Sequence, residues 1–268
     1  MILLQLKQFE EMQQAEMTVS MGGQTIIVSV FLFDELLIDT GPVRKKEQLI
    51  PLLKQWEMEQ VIITHHHEDH SGLGQWLQEH KQIPIYMHEK GVELCQKREY
   101  IPFYRRVFWG KREPFIASPI EDVFHTENYE WDIIHSPGHA DDHIALYNRE
   151  KGWMFGGDLY VYSRPRSMYA FESLPIMIDS LQNILTYDFT TYICSHAGVL
   201  KKGREKLLEK LNHLYRIQED ILRLHNKGFT AKEIRKQLFP QRHIMHYISM
   251  FENSPMHLIN SVIQDSKN

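Results

Sequence analysis

The chain has 268 residues, of which 43% are hydrophobic and 24% charged, with a formal net charge of −5 at pH 7. Such a length and apolar share support one large core with a smaller unit attached, while the acidic balance argues against a dedicated surface for duplex nucleic acid. The two cysteines, Cys95 and Cys194, stand far apart with no CxxC pairing, so they point to neither a disulfide framework nor a thiolate zinc site and are expected as buried apolar residues.

The opening MILLQLKQFEEMQQ has an apolar run that ends at Lys7, so no signal peptide is expected, and no later stretch approaches the ~20 apolar residues of a membrane span. A cytoplasmic address and no membrane partner are the resulting expectations. TIIVSVFLF (25–33) and ELLIDTG (35–41) are apolar, β-branched runs set as a hairpin, the start of an antiparallel sheet. Leu49, Leu52, Leu53 and Trp56 give Lys45–Trp56 a helical spacing, and QVIIT (60–64) is a buried-strand run that ends at a histidine cluster. A helix from about Gly72 and the strand PIYMH (84–88) follow, and this β-β-α-β-α-β order predicts a layered α/β domain with helices covering a sheet.

Residues 99–130 break the rhythm: YIPFYRRVFWGKREPF is aromatic and basic, lacks clean periodicity, and exceeds an ordinary connection of ~2–6 residues, so an inserted lid is expected. Strands resume at WDIIHSP (131–137), HIALYN (143–148) and GWMFGGD (152–158), followed by a helix through Leu181, Ile184 and Leu185 and a strand, TTYICSH, ending at His196. From Arg204 the chain turns helical: an amphipathic helix over 204–227 suited to packing, a helix opened by a Thr230/Glu233 capping box, and the helical PMHLINSVIQD. Residues 1–203 are therefore expected to form the catalytic domain and 204–268 a helical C-terminal appendage. Tandem repeats and low-complexity segments are lacking.

Sixteen histidines are many for this length, so spacing must separate the useful ones from the rest. Thr64-His65-His66-His67-Glu68-Asp69-His70 lies where an apolar strand runs into a helix, a place from which a loop can aim several ligands at one point. Imidazole and carboxylate together suit zinc, iron or manganese rather than calcium. Alternation in HxHxDH lets His65 and His67 share one metal while Asp69 and His70 serve a second, with His66 pointing elsewhere. Three more potential ligands stand just past three more strands: His139 in Ser136-Pro137-Gly138-His139, Asp158 at the end of GWMFGGD, and His196 before Ala197-Gly198.

HxHxDH, PGH, GGD and SHAG, in this order and spacing, resemble the metallo-β-lactamase superfamily, and Asp39 in LLIDTG looks like that family's DTG turn, so the resemblance spans about residues 17–200. It implies an αββα sandwich and a dinuclear metal site. His65, His67 and His139 would take one ion; Asp69, His70 and His196 the other; and Asp158 would bridge them together with a hydroxide made available at neutral pH by two cations. Asp69 and Asp158 would be the catalytic carboxylates, Asp69 orienting the attacking oxygen, and Asp39 a fixer of the ligand loop or a plain turn residue. The ions would be zinc, with iron or manganese as alternatives. His67, where diiron oxygen reductases of this fold carry Glu, counts against oxygen reduction. The continuation Ala140-Asp141-Asp142-His143 and the helical tail look most like the lactamase-like-protein-2 branch, beside glyoxalase II; His143 is open between a supporting group, a proton donor and a core residue.

Basic and aromatic residues flank the site twice: Tyr104, Arg105, Arg106, Phe108, Trp109, Lys111 and Arg112 in the insertion, and Tyr160, Tyr162, Arg164, Arg166 and Tyr169 after Asp158. Guanidinium recognises carboxylate or phosphate, and rings stack on flat or acyl groups, which suggests a small anionic substrate. The expected activity is hydrolysis of an ester, thioester or lactone of such a molecule. The alternative is a nuclease acting on single-stranded RNA or DNA, against which the acidic net charge counts. Oligomeric state is left open.

Overall fold

The computed structural model of the protein describes residues 4–21, 23–98, 100–241 and 244–266. Four strands open the chain, β1 (Leu4–Phe9), β2 (Met12–Met21), β3 (Gln24–Phe33) and β4 (Leu36–Ile38), each antiparallel to the one before. The β3–β4 hairpin turns on Asp34 and Glu35, both at positive φ (50° and 58°), the two-residue turn whose twist matches that of the paired strands. Next, α1 (Lys46–Gln55) leads to β5 (Gln60–Ile62), α2 (Glu68–Ser71) and α3 (Gly74–His80) to β6 (Ile85–Met87), and α4 (Glu89–Cys95) and α5 (Phe103–Trp109) to β7 (Ser118–Pro119). From β4 to β7 the pairing is parallel, giving a seven-stranded sheet in the order β1 to β7.

A six-stranded sheet follows from β8 (Val123–His125), β9 (Glu130–His135), β10 (Ile144–Asn148), β11 (Trp153–Phe155), β13 (Thr191–Cys194) and β14 (Gly198–Leu200), in the order β14-β13-β11-β10-β9-β8. Between its strands lie β12 (Met168–Tyr169) and α6 (Leu174–Ile184). The chain finishes with α7 (Gly203–Asn226), α8 (Ala231–Leu238), α9 (Ile244–Ile248), β15 (Asn253–Ser254) and α10 (Pro255–Asp265), and β15 pairs with β12. Thr230 caps α8 in a reciprocal box with Glu233, as its sequence predicts.

Side-chain alternation along the strands builds three apolar layers. Phe31 and Phe33 of β3 meet Trp131, Ile144, Leu146, Trp153 and Phe155 of the second sheet in a core between the sheets. The opposite face of β3, with Val28, Val30 and Leu32, packs under Leu49, Leu53, Leu77 and Phe108 of the outer helices. Ala145 and Tyr147 of β10 likewise face Leu181, Leu211, Leu214, Ile234 and Leu258, so α7, α8 and α10 share one outer core with α6. The order helix, sheet, sheet, helix is the αββα sandwich expected from the sequence. Cys95 and Cys194 are both buried. The segment expected as a lid contributes, over 100–130, α5 and strands of both sheets, with Tyr104 and Phe108 buried in the first outer core. Among the described residues no helix is long and apolar enough to cross a membrane.

Candidate metal centre

β9, β11 and β13 run in one direction, because β10 is antiparallel to both β9 and β11 while β13 is parallel to β11. Their C-terminal ends carry His139, Asp158 and His196, and the loop after β5 carries the HxHxDH run; loops beyond strand ends are where a sandwich can converge side chains from distant sequence. The structure brings all seven predicted residues together in two donor groups. His65, His67 and His139 form one, and Asp69, His70, Asp158 and His196 the other, with the donor atoms of each group within 4.8 Å of one another.

In the first group, Nδ1 of His67 lies 3.1 Å from Nε2 of His65 and 3.1 Å from Nε2 of His139, three ring nitrogens aimed at a common point. In the second, Nε2 of His196 lies 2.9 Å from Oδ2 of Asp158 and 3.4 Å from Oδ2 of Asp69. Asp158 Oδ2 is also 3.5 Å from Nε2 of His139, so this carboxylate stands between the groups. His70 Nε2 and Asp158 Oδ1, 3.4 Å apart, are fully enclosed and make no hydrogen bond. Buried polar atoms are seldom left without partners. Converging imidazole and carboxylate donors with two such orphaned atoms fit divalent cations of the zinc, iron or manganese type.

Electrostatics divides the groups. Burial, reinforced by the neighbouring imidazoles, holds His65 and His67 well below the usual histidine range, and neutral imidazole is the form that ligates. Burial also opposes charge on Asp158, but the imidazoles of His196 and His70 outweigh it and keep that carboxyl well below its usual range. The same attraction raises His70 and His196 against their burial.

A shell of hydrogen bonds fixes the ring orientations. Asp39, buried and in the left-handed region at φ 61°, accepts from the Thr64 amide at 2.8 Å and the Ser195 hydroxyl at 3.1 Å, and its Oδ2 lies 2.7 Å from His70 Nδ1. It is thus more than a turn residue, since it fixes which nitrogen of His70 faces the site. Glu172 does the same for His139, with Oε1 2.7 Å from Nδ1. His66 points away as predicted, its amide and Nδ1 both 2.8 Å from the carboxylate oxygens of Asp142. His143 is buried; its Nε2 accepts from the Asp158 amide at 3.1 Å and its Nδ1 meets the Ser136 hydroxyl at 2.9 Å. Burial pushes it down to about 3, so it supports the Asp158 turn as a neutral ring. Gly157, at φ 45°, is required beside it: a Cβ there would stand 2.6 Å from His143 Nε2.

Sequence reasoning passed over Glu172, Lys210 and the role of Asp142. Lys210 of α7 is buried and donates to the carbonyls of Leu159 (2.5 Å) and Tyr160 (2.9 Å), the two residues after Asp158. Its desolvation lowers it to about 8. No local signal marks it, because the contact closes a separation of fifty residues; Asp142 was visible in the ADDH run without a partner to give it meaning.

A cavity of 550 Å³ opens over the donors, reaching His67, Asp69, His139, Asp158 and His196. Arg105, Arg164 and Arg166 line it, as do Tyr104, Trp109, Tyr160, Tyr162 and Tyr169 from the two basic aromatic segments. Arg106 is exposed and does not line it.

Comparison with known proteins agrees with this geometry. A family model described as the metallo-beta-lactamase superfamily matches residues 26–196. A protein of Bacillus subtilis named "Probable metallo-hydrolase YqjP" is 26% identical, with 80% of this chain and 81% of that protein aligned. A hydroxyacylglutathione hydrolase of Aeromonas salmonicida is 25% identical, over 75% of this chain and 68% of that one. The crystal structure of a metallo-beta-lactamase family protein of Thermus thermophilus superposes with a TM-score of 0.72 at 19% identity, covering 97% of this chain and 95% of that chain, a likeness in fold.

Proposed function

This chain belongs to the metallo-beta-lactamase superfamily, and from that premise we propose that it hydrolyses an ester, thioester or lactone of a small molecule at a site holding two divalent cations. At the coarser level it is a metal-dependent hydrolase with a His/Asp metal-binding cluster. The observation that carries the finer reading is the pair of adjoining donor groups with the Asp158 carboxylate between them.

His65, His67 and His139 would hold one ion and Asp69, His70 and His196 the other, with Asp158 shared. When bound, the two cations supply Lewis acidity at the scissile carbonyl and make hydroxide available from water near neutral pH. Asp69, which lines the cavity, would accept and orient the proton of the attacking water. Asp158 keeps the two donor groups in register, itself held by His143 at its backbone. Glu172 and Asp39 lock His139 and His70 so that no ring turns during the reaction. The thioester option draws support from the relatives, one of which is named a hydroxyacylglutathione hydrolase.

Thioester, oxoester and lactone substrates assayed with zinc- or manganese-loaded protein test this. Hydrolysis should depend on the metal, and Asp158→Ala should lose nearly all of it while circular dichroism shows the fold intact. Wild-type turnover in that variant would remove Asp158 from the chemistry.

A further inference from the structure

The four cations around the cavity are not equivalent. Arg105 is largely buried and spent on carboxylates: Nη2 and Nε lie 2.7 and 3.2 Å from Oε2 of Glu68, and Nη1 lies 3.8 Å from Glu252. Its guanidinium also lies over the Phe171 ring, 5.5 Å from the centroid, so it braces a wall. Arg164 is paired with Glu209 Oε1 through Nε and Nη2, both at 3.1 Å, but its side chain is exposed, where such a pair is weak. Lys210 is closed in by its two backbone carbonyls. Arg166 alone of the four bonds to a neutral side-chain amide, Gln241 at 3.0 Å, and it is exposed. Glu172, the carboxylate that holds His139, lines the cavity beside these cations.

Beside the polar Gln24, Thr25, Ser167 and Asn253, much of the lining is aromatic or apolar. Tyr169 and Phe171 stack face to face, with centroids 5.3 Å apart and planes within 2°, and the Phe171 ring stands edge-on to that of His67 at 5.0 Å. Phe171 is 40% exposed although it touches the donor cluster, and Trp109, Met168, Met177 and Met245 extend the same surface. An exposed aromatic ring held rigid beside reactive donors gains contact area from a flat or aliphatic group at little cost in side-chain entropy.

We propose that the substrate carries a bulky aromatic or medium-chain apolar acyl group and that this group seats on the Tyr169–Phe171 wall. The inference rests on the hydrolase reading above for its chemistry, but the wall is a property of the cavity and can be tested by binding as well. The anionic substrate suggested by the arginine-rich sequence is thereby narrowed: Arg105 is committed to Glu68 and Glu252, and among the described lining residues the arginines left to meet charge are Arg164 and Arg166, both exposed and therefore screened by solvent.

The test uses the full chain loaded with zinc or manganese and a matched set of thioesters: acetyl, octanoyl and benzoyl on N-acetylcysteamine, and benzoyl on coenzyme A. Released thiol gives kcat/KM, and calorimetric titration with octanoate and acetate gives binding apart from turnover. Octanoyl and benzoyl thioesters should exceed acetyl by about 10- to 100-fold. The coenzyme A thioester, despite its several charges, should gain no more than about threefold over the neutral thiol carrier. Phe171→Ala should bring the benzoyl-to-acetyl ratio down by about tenfold, a change of ratio that a general loss of active protein does not produce. Equal rates for acetyl and benzoyl, or a coenzyme A thioester favoured more than tenfold, would overturn the proposal. If no thioester, and none of the matching oxoesters and lactones, is cleaved but octanoate still binds at least tenfold more tightly than acetate and Phe171→Ala abolishes the difference, the apolar subsite stands and the hydrolase reading falls.

Discussion

Asp142 belongs to neither donor group, yet it sets the loop that delivers four of the seven donors. Its two oxygens hold the amide and the ring of His66, each at 2.8 Å, in the middle of the HxHxDH run. The fit is tight, since a Cβ on Gly91 would come 2.3 Å from Asp142 Oδ2. Groups of this kind, one bond removed from the ligands, commonly govern metal affinity. Asp142→Ala should therefore weaken metal binding by about 10- to 100-fold, measured by competition with a chromophoric chelator. Unchanged affinity would mean that the loop keeps its shape without the carboxylate. Glu172→Gln should be milder, because the amide oxygen can still accept from His139 Nδ1, while Glu172→Ala should approach the loss seen for Asp142→Ala.

Among the elements, α7 ties the helical end of the chain to the site. Lys210 is an expensive residue to place there: its lowering from 10.5 to about 8 corresponds to roughly 3 kcal/mol of unfavourable burial at pH 7. Removing it strands two buried carbonyls, at about 1–3 kcal/mol each, so the two effects should nearly cancel. Lys210→Met is expected to change stability at pH 7 by no more than about 3 kcal/mol, yet to slow hydrolysis by loosening the turn that follows Asp158. The pH dependence has a definite sign. Between about 8 and 10.5 the unfolded chain keeps a proton on this lysine that the folded chain has released, so wild-type stability should rise with pH relative to the variant across that window. Denaturant melts of both proteins at pH 7 and 9.5 check it, and a difference that stays flat or falls would show that Lys210 is not buried as a cation.

The strands and the HxHxDH, PGH, GGD and SHAG turns could be read from sequence because each is local, apolar runs forming strands with ligands directly past them, and the sandwich followed from the family resemblance those turns carry. Lys210, Glu172 and the Asp142–His66 pair could not, because each depends on which distant segments the two sheets bring together. The arginines show the same limit from the other side. Arg105 was visible as a charge, but Glu68 and Glu252, which claim it, are separated from it by 37 and 147 positions, and Arg106 beside it is exposed away from the cavity lining.

Across the whole molecule, the two sheets meet at an edge where buried carboxylates and imidazoles are held within reach of one another. Ions that bind only this arrangement should stabilise the fold by mass action, about 4 kcal/mol at a thousandfold excess over the dissociation constant. Chelation should accordingly lower the melting temperature by about 10 °C, with far-ultraviolet dichroism little changed below the transition. A melting curve indifferent to chelator would place little binding energy in the site.

Metal-stripped protein titrated with zinc or manganese, with bound ions counted by elemental analysis and hydrolysis of a responsive thioester followed in the same samples, tests the two-metal hydrolase most directly. Binding should saturate close to two ions per chain, activity should be absent from stripped protein, and full turnover should appear only as the second ion is bound. Saturation at one ion per chain, or undiminished hydrolysis in the stripped protein, would contradict it.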